Sequence, residues 1–211
     1  MSVQLFKPHP WHGIPFGEKC PNIITAYIEM VPTDTVKYEI DKETGYRKVD
    51  RPQKFSNYLP ALYGFVPQTY CDEHVRAFAE LKSGKKVERG DGDPLDICVL
   101  TERNITSGDI ILEAIPIGGF RMIDKGEADD KIIAVLKSDE IYGHLKDVTD
   151  CPNTLIDRLK HYFLTYKNMP GHENKAVEIT HTYGAVEAHE VILKSIQDYN
   201  IKFKSHMEIG V

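Results

Sequence analysis

The stretch Asp91-Gly92-Asp93-Pro94-Leu95-Asp96 carries three carboxylates in six residues and runs directly into the apolar segment 97–100. Gly92 and Pro94 are incompatible with a regular helix or a central strand, so the stretch predicts a shaped turn that feeds a buried strand. Carboxylates this close together repel one another unless a positive charge lies between them. Because Mg²⁺ prefers carboxylate oxygen and water as ligands, we interpret the stretch as a magnesium site.

A second acidic turn, Asp124-Lys125-Gly126-Glu127-Ala128-Asp129-Asp130-Lys131, also leads into an apolar segment, at 132–136. If the strands at 97–100 and 132–136 are neighbours in a barrel, the carboxylates of the two turns meet at one rim. They supply enough oxygen ligands for more than one Mg²⁺. Two such ions about 3.5–4 Å apart can hold a water molecule and a phosphoryl oxygen together.

The composition is that of an ordinary globular protein. The chain has 211 residues, of which 41% are hydrophobic and 27% charged, and a net charge of -6. This length suits a single domain over 1–211, with a Pro- and Gly-rich irregular arm at 1–22 and a charged surface insertion at 71–89. The acidic balance argues against a nucleic-acid partner, because a nucleic-acid groove needs a basic face.

The cysteines and the apolar segments indicate the compartment. The four cysteines are widely spaced and form no Cys-x-x-Cys pair. Residues 1–13 contain no apolar core of a signal sequence, and no apolar run approaches the roughly 18–20 residues of a membrane span. These features predict a reduced, cytoplasmic protein without a membrane partner.

The hydrophobic pattern predicts short strands followed by helices. Strands are expected at 23–30, 97–100, 110–117 and 132–136, with a hairpin over 36–49 and a bend at Gly118-Gly119. Beyond Pro152, Leu155, Leu159, Tyr162 and Tyr166 recur at helical spacing, and a second helix is expected over 185–199. This order of elements predicts an α+β, mainly β, domain that is built on a β-barrel.

The acidic stretch and the Lys37–Glu39 pattern also allow other interpretations. A calcium loop of the EF-hand type is rejected, because Leu95 and Asp96 stand where it needs an oxygen ligand and a glycine. The Asp-x-Asp of aspartyl-phosphate phosphatases follows a buried strand near the N-terminus, and 85–89 is not such a strand. An acidic turn that faces solvent is the plain alternative. Lys37 and Glu39, on one face of an alternating strand, likewise fit a solvated surface.

The motifs together resemble the family I soluble inorganic pyrophosphatases. The similarity runs from about residue 28 to residue 167 and preserves order and spacing. It includes Ile28-Glu29, Lys37-Tyr38-Glu39-Ile40-Asp41-Lys42, Val49-Asp50-Arg51, Tyr63-Gly64, both acidic turns and Tyr166-Lys167. The chain departs from the pattern at Lys125, where many members carry Glu.

This resemblance implies a five-stranded, OB-like β-barrel with two flanking α-helices, and the hydrolysis of pyrophosphate to two orthophosphates with several Mg²⁺ ions. It implies metal ligation by Asp91, Asp96, Asp124, Asp129, Glu29 and Glu39. It implies substrate binding by Lys37, Arg51, Tyr63, Lys131, Tyr166 and Lys167. Asp93 resembles the general base beside the attacking, metal-activated water.

Two alternative functions and the oligomeric state stand beside this resemblance. The alternative functions are a non-catalytic metal- or phosphate-binding module on an OB-like barrel and a general phosphomonoesterase. The set of ligands, cations and base is complete, which argues against a non-catalytic module, because a degenerate relative is expected to have lost some of these residues. The resemblance also implies a homo-oligomer, since bacterial members are typically hexamers and eukaryotic members dimers.

Overall fold

The structure is a computed structural model that describes residues 7–167 and 177–204. These residues contain ten strands: β1 (Ile24–Met30), β2 (Val36–Ile40), β3 (Arg47–Pro52), β4 (Leu62–Phe65), β5 (Arg89–Gly90), β6 (Asp96–Leu100), β7 (Ile110–Asp124), β8 (Glu127–Ala128), β9 (Lys131–Leu136) and β10 (Val177–Gly184). They also contain three α-helices: α1 (Glu73–Ser83), α2 (Asn153–Thr165) and α3 (Ala185–Tyr199). A 3₁₀ turn at Val148–Asp150 precedes α2, and a π-helical turn at Asn200–Lys204 follows α3.

Five strands form a closed ring of pairings. The order is β1-β4-β6-β9-β7, and β7 pairs with β1 to complete the circuit. All these pairs are antiparallel except β6–β9, which is parallel. The prediction of a mainly β fold on a five-stranded ring is therefore confirmed, and closure leaves these strands without a free edge.

Shorter elements extend the ring at its margins. β10 pairs with the second half of β7, β8 with the end of β7, and β5 with β8. β2 and β3 form a separate two-stranded hairpin, as the pattern predicted. The bend expected at Gly118-Gly119 is instead a register shift between Pro116 and Gly118, and β7 continues through it. Such a bulge bends a strand without ending it.

The ring strands separate two apolar clusters. In β6, Ile97 and Val99 face the cluster that is covered by α1 and α3. Cys98 and Leu100 face the cluster that contains Ile156, Leu159, Tyr162 and Phe163 of α2. Because successive side chains of a strand point to opposite faces, burial on both sides accounts for the unbroken apolar run in the sequence. The helices predicted over 153–167 and 185–199 are both present, and α2 ends at Thr165, slightly earlier than predicted.

The segment 71–89 and the N-terminal arm are both attached to the body. The outer face of α1 is charged, whereas Val75, Phe78 and Ala79 are buried in the core. In the arm, Trp11 is buried and its indole Nε1 donates to the Thr69 carbonyl at 2.7 Å.

All four cysteines are free thiols. Within the described ranges, no helix is long and apolar enough to cross a membrane.

Candidate active site

The two acidic turns enter the ring at the same edge. β6 begins at Asp96 and β9 at Lys131, and these two residues are register partners in the parallel pair. Each acidic turn lies immediately before its strand, and parallel neighbours begin at the same end of a sheet. The prediction that these two strands are neighbours is thus confirmed, and their parallel pairing brings the two acidic turns to one edge of the ring.

The first turn is held by its own backbone and by the segment before α1. Gly92 has φ +73°, a left-handed backbone conformation that residues other than glycine rarely adopt. The backbone N–H of Asp93 donates to the Asp91 carboxylate at 3.0 Å. Cys71 N donates to the Asp93 carbonyl at 2.9 Å, and Gly92 N donates to the Cys71 carbonyl at 3.1 Å. These bonds determine where Asp91 and Asp93 project.

The second turn is a tight hairpin followed by a short connection. Asp124 pairs with Glu127, and the two residues between them, Lys125 and Gly126, have φ of +54° and +85°. Two central residues with positive φ are typical of a type I′ hairpin turn, which glycine favours. Lys125 is exposed at the tip, whereas the Asp129 N–H donates to the Met122 carbonyl at 3.0 Å.

Lys131 lies among the carboxylates of both turns. Its Nζ contacts Asp96 Oδ2 and Asp129 Oδ1. Burial disfavours the charged ammonium, but Asp129 and Asp96 outweigh that effect and raise the pKa of Lys131. Burial raises the pKa of Asp91 and of Asp129, and the charge of Asp129 raises the pKa of Asp91 further. The single positive charge of Lys131 therefore does not compensate all the buried carboxylates of the site.

A pocket of about 110 Å³ opens beside these carboxylates. Six of the residues predicted for the site line it: Glu29, Lys37, Glu39, Tyr63, Asp93 and Asp96. The side chains of Lys37 and Glu39 are only 26% and 37% exposed, and their charged ends lie 3.1 Å apart. The solvated surface considered for these two residues is therefore wrong, because their face of the hairpin lines the pocket.

Glu29 forms the buried floor of this pocket. It is 7% exposed, and its Oε1 accepts a hydrogen bond from Ile40 N at 2.6 Å, which ties β1 to the hairpin. Burial raises the pKa of Glu29 to about 8, since the ionised form loses its hydration there. Burial and the nearby Asp96 likewise raise the pKa of the Tyr63 hydroxyl, so Tyr63 remains a hydrogen-bond donor.

A second group of predicted residues lies at the end of β7 and α2. Lys167 Nζ donates to Asp124 Oδ2 at 2.7 Å. The Tyr166 ring stacks on Tyr162 with centroids 5.1 Å apart, and the Arg51 guanidinium lies 6.0 Å from the Tyr166 ring centre. This group meets the pocket through Tyr63, whose pKa the Tyr166 hydroxyl also raises.

All thirteen predicted residues thus belong to one cluster, although their chemical roles stay predictions. Two further residues belong to it that stand within the quoted family motifs but were assigned no role there. Lys42 lines the pocket and its Nζ contacts Asp93 Oδ1. Asp50 accepts from Lys37 at 2.9 Å and also contacts Arg51. A register shift in the β2–β3 hairpin leaves Asp50 as the extra residue between Val49 and Arg51, and local periodicity carries no signal for such a shift.

The donor set fits a divalent cation chemically. Asp124 Oδ1 is buried without a hydrogen-bond partner, and the buried Asp91 and Asp129 repel each other. Within 7–167 and 177–204, however, no three histidine, cysteine or acidic side chains are arranged to hold a metal ion. Lysine ammonium groups contact Asp96, Asp124 and Asp129 instead. A divalent ion would therefore exchange with an ammonium group at these carboxylates.

The chain is similar to known proteins over most of its length. Residues 26–200 match the family described as inorganic pyrophosphatase. The chain is 52% identical over 195 residues to an inorganic pyrophosphatase of Chlamydia muridarum, with 90% of this chain and 93% of that protein covered. It is 35% identical to a soluble inorganic pyrophosphatase of Oryza sativa subsp. indica, with 94% and 83% covered.

Solved structures show the same likeness. The crystal structure of inorganic pyrophosphatase from Thermus thermophilus superimposes with a TM-score of 0.74 at 28% identity, covering 92% of this chain and 99% of that one. An inorganic pyrophosphatase from Neisseria gonorrhoeae superimposes with a TM-score of 0.72 at 30% identity, covering 89% and 96%. The likeness in fold thus extends over about nine-tenths of this chain.

Proposed function

Starting from the fact that this chain belongs to the inorganic pyrophosphatase family, we propose that it hydrolyses pyrophosphate to two orthophosphates with Asp93 as the general base and with several Mg²⁺ ions bound. Family membership itself implies pyrophosphate hydrolysis and a divalent metal cofactor. The residue roles, the identity of the metal and the number of ions are the parts that we propose.

The observation that carries this proposal is the mixed charge of a single pocket. Lys37 lines the pocket together with Asp93 and Asp96 of the first acidic turn. Beside it, Lys131 contacts Asp96 and Asp129 of the two turns, and Lys37 and Arg51 both contact Asp50. Pyrophosphate carries several negative charges, so attack by an anionic nucleophile is opposed by repulsion. Cationic side chains offset that charge and stabilise the departing phosphate. Buried carboxylates alone would instead repel the substrate.

Asp93 has the environment that a general base requires. Its side chain is 46% exposed and lines the pocket, whereas the Asp129 side chain is 15% exposed and contacts Lys131. A base must reach the water from which it removes a proton, within hydrogen-bond distance. We therefore assign proton removal to Asp93 and metal binding to the more deeply buried carboxylates Asp91, Asp96, Asp124 and Asp129.

The cationic and hydroxyl groups divide the task of phosphate binding. Arg51 has a planar fork that matches two phosphate oxygens, whereas Lys37, Lys131 and Lys167 act as point charges. Tyr63 and Tyr166 donate hydrogen bonds without adding charge.

Divalent ions would be held by the four aspartates, with Glu29 and Glu39 as outer acidic residues. When bound, such ions lower the pKa of water and neutralise phosphate charge. The chain itself supplies the crowded, buried carboxylates that make cation binding favourable, together with Asp93 as proton acceptor.

The direct test is the release of orthophosphate from pyrophosphate with excess Mg²⁺, and again with a chelator. We expect rapid release with Mg²⁺ and its loss with chelator. An aryl phosphate as substrate serves as the control, since a general phosphomonoesterase would cleave it as well. A folded protein that releases no phosphate from pyrophosphate with Mg²⁺ would contradict the proposal and favour a non-catalytic binding module.

Two further properties stay predictions. The family resemblance implies a homo-oligomer, either a hexamer or a dimer, and analytical ultracentrifugation of the full chain would distinguish these from a monomer. The cytoplasmic location, predicted from the cysteine pattern, is tested by fractionation of the source cells.

A further inference from the structure

A buried arginine lies directly behind the second acidic turn. Arg121 of β7 is 0% exposed. Its Nη1 lies 2.6 Å from Asp130 Oδ2, and its Nη2 donates to Glu187 Oε1 of α3 at 2.9 Å. A buried guanidinium is costly unless its charge is compensated, and here two carboxylates from different parts of the fold compensate it.

Aromatic rings hold this arginine in place. The Arg121 guanidinium lies 5.1 Å from the ring centre of Phe78 in α1 and 5.1 Å from that of Tyr183 in β10. The Tyr183 hydroxyl also donates to Asp130 Oδ2, at 3.1 Å. Asp130 is thus bound by one cation and one hydroxyl, both of which are themselves immobilised by packing.

The strand register places this contact behind the site. Phe120 pairs with Lys131, and the Met122 carbonyl accepts from Asp129 N, so Arg121 lies opposite Asp130. Successive side chains of an extended chain point to opposite faces. Asp129 and Lys131 contact each other in the site, while Asp130 between them points to Arg121 on the other face.

We propose that Arg121 is a positioning residue for the carboxylate site, which binds Asp130 on one face of the chain and thereby determines where Asp129 and Lys131 stand on the other. The metal-binding part of this inference rests on the proposed function. It gives α1 a role as well, because Phe78 covers the guanidinium that holds the acidic turn.

The physical reason lies in the shortness of the connection. Asp129 and Asp130 alone link β8 to β9, so a rotation of either peptide would redirect both neighbouring side chains. Groups that bind a metal ion or a phosphate must be held to within about 0.5 Å of their productive positions. An anchor on the central residue restricts this rotation without entering the site.

A charge-neutral double variant tests this role. Arg121→Met with Asp130→Asn removes one positive and one negative charge, and apolar or neutral replacement of a buried ion pair is often tolerated. We expect Mg²⁺ affinity to fall about tenfold or more, as for other groups that orient metal ligands. The readout is the Mg²⁺ concentration that raises the unfolding temperature, measured without substrate, beside the Mg²⁺ dependence and KM of phosphate release.

Glu187→Gln is the matched control, because it removes the other carboxylate partner of Arg121 far from the acidic turn along the chain. We expect it to leave the Mg²⁺ affinity within about twofold of the wild-type value, below the tenfold or greater loss that disturbed metal ligands show. An equal loss in Glu187→Gln and in the double variant would overturn the proposal, since general loosening would explain both. A folded double variant with unchanged Mg²⁺ affinity would overturn it as well.

If the double variant fails to fold, Asp130→Asn replaces it, because this change removes the charge that Arg121 binds while Glu187 still compensates the guanidinium. We then expect a measurable fall in Mg²⁺ affinity, and an unchanged affinity rejects the role. The wild-type protein separates the two proposals. If it binds Mg²⁺ but releases no phosphate, the proposed function fails while the positioning role is still decided by Mg²⁺ binding.

Discussion

Asp96 and Lys131 stand opposite each other on the parallel strands β6 and β9, and the Lys131 ammonium group contacts both Asp96 and Asp129. Within the ring formed by the described residues, this is the one parallel pair. Antiparallel pairing would have placed the two acidic turns at opposite ends of the strands. The parallel pairing is therefore the feature that concentrates carboxylates at one rim.

Replacement of the proposed base should slow the chemical step. We expect Asp93→Asn to lower kcat by about two to four orders of magnitude, the range that general acid–base catalysis contributes. Asp157→Asn is the control, since Asp157 is exposed on α2. The measurement is phosphate release at saturating Mg²⁺ and pyrophosphate, with circular dichroism as a check on folding. Near-normal turnover in Asp93→Asn would exclude Asp93 as the base.

Arg51 should contribute to substrate binding through its fork of donors. A hydrogen bond to a charged group is worth about 1.5–3 kcal/mol, so we expect Arg51→Ala to lower kcat/KM by roughly tenfold to a hundredfold. Arg51→Lys should recover only part of this loss, because lysine offers a point charge. Arg103→Ala, at an exposed arginine that pairs with Glu102, is the control. Unchanged kinetics in Arg51→Ala would show that Arg51 does not bind phosphate.

Asp139 should make stability depend on pH in the acid range. Burial alone would raise its pKa, but hydrogen bonds from Tyr142 N, the Thr101 hydroxyl, Glu102 N and Ile141 N outweigh burial and lower the pKa to about 2. A carboxyl with a depressed pKa stabilises the fold above its unfolded value near 4, and this contribution is lost as pH falls toward 2.

We therefore expect Asp139→Asn to lower the unfolding temperature at neutral pH, and this deficit to shrink as pH falls from about 4 toward 2. The measurement is thermal unfolding across that range for both proteins. Glu140→Gln, at the exposed neighbouring position, should show no such trend. A deficit that stays constant with pH would refute the pKa assignment.

Helix α1 should contribute to stability through one of its faces only. Phe78 is 5% exposed in the core and Leu81, three residues on, is 76% exposed. We expect Phe78→Ala to cost about 3–5 kcal/mol of unfolding free energy, through lost burial and a cavity. Leu81→Ala should change it by less than about 0.5 kcal/mol. Urea denaturation measures both, and equal effects would mean that α1 does not share the core.

Much of the architecture was predictable from local patterns. Alternation in 36–40 indicated a strand with Lys37 and Glu39 on one face, and helical spacing from Leu155 to Tyr166 indicated the helix that became α2. Periodicity predicts such elements because it records which side chains share a face. The family motif added the identities of thirteen site residues, which no periodicity supplies.

Other features had no local signal. The contacts of Lys42 and Asp50 depend on hairpin register, and the burial of α1 depends on packing against α3. Arg121 interrupts no pattern that would mark it as buried, since a lone arginine in a strand is usually exposed. Its position becomes intelligible only when Asp130, Glu187 and two aromatic rings surround it.

The sequence by itself determined four of the five ring strands, the hairpin, the two main helices, the shaped acidic turns and the residue types that suit pyrophosphate and a divalent ion; it gave no signal for β4. Only the tertiary structure decided that β6 and β9 run side by side in parallel, that the hairpin closes over the pocket, and that a buried arginine supports the second turn. The physical reason is the distance along the chain over which each interaction acts. Side-chain alternation and turn chemistry act between residues that are close in sequence. The burial of Asp129 beside Lys131 and Asp96, by contrast, arises when segments more than 30 residues apart close into one ring.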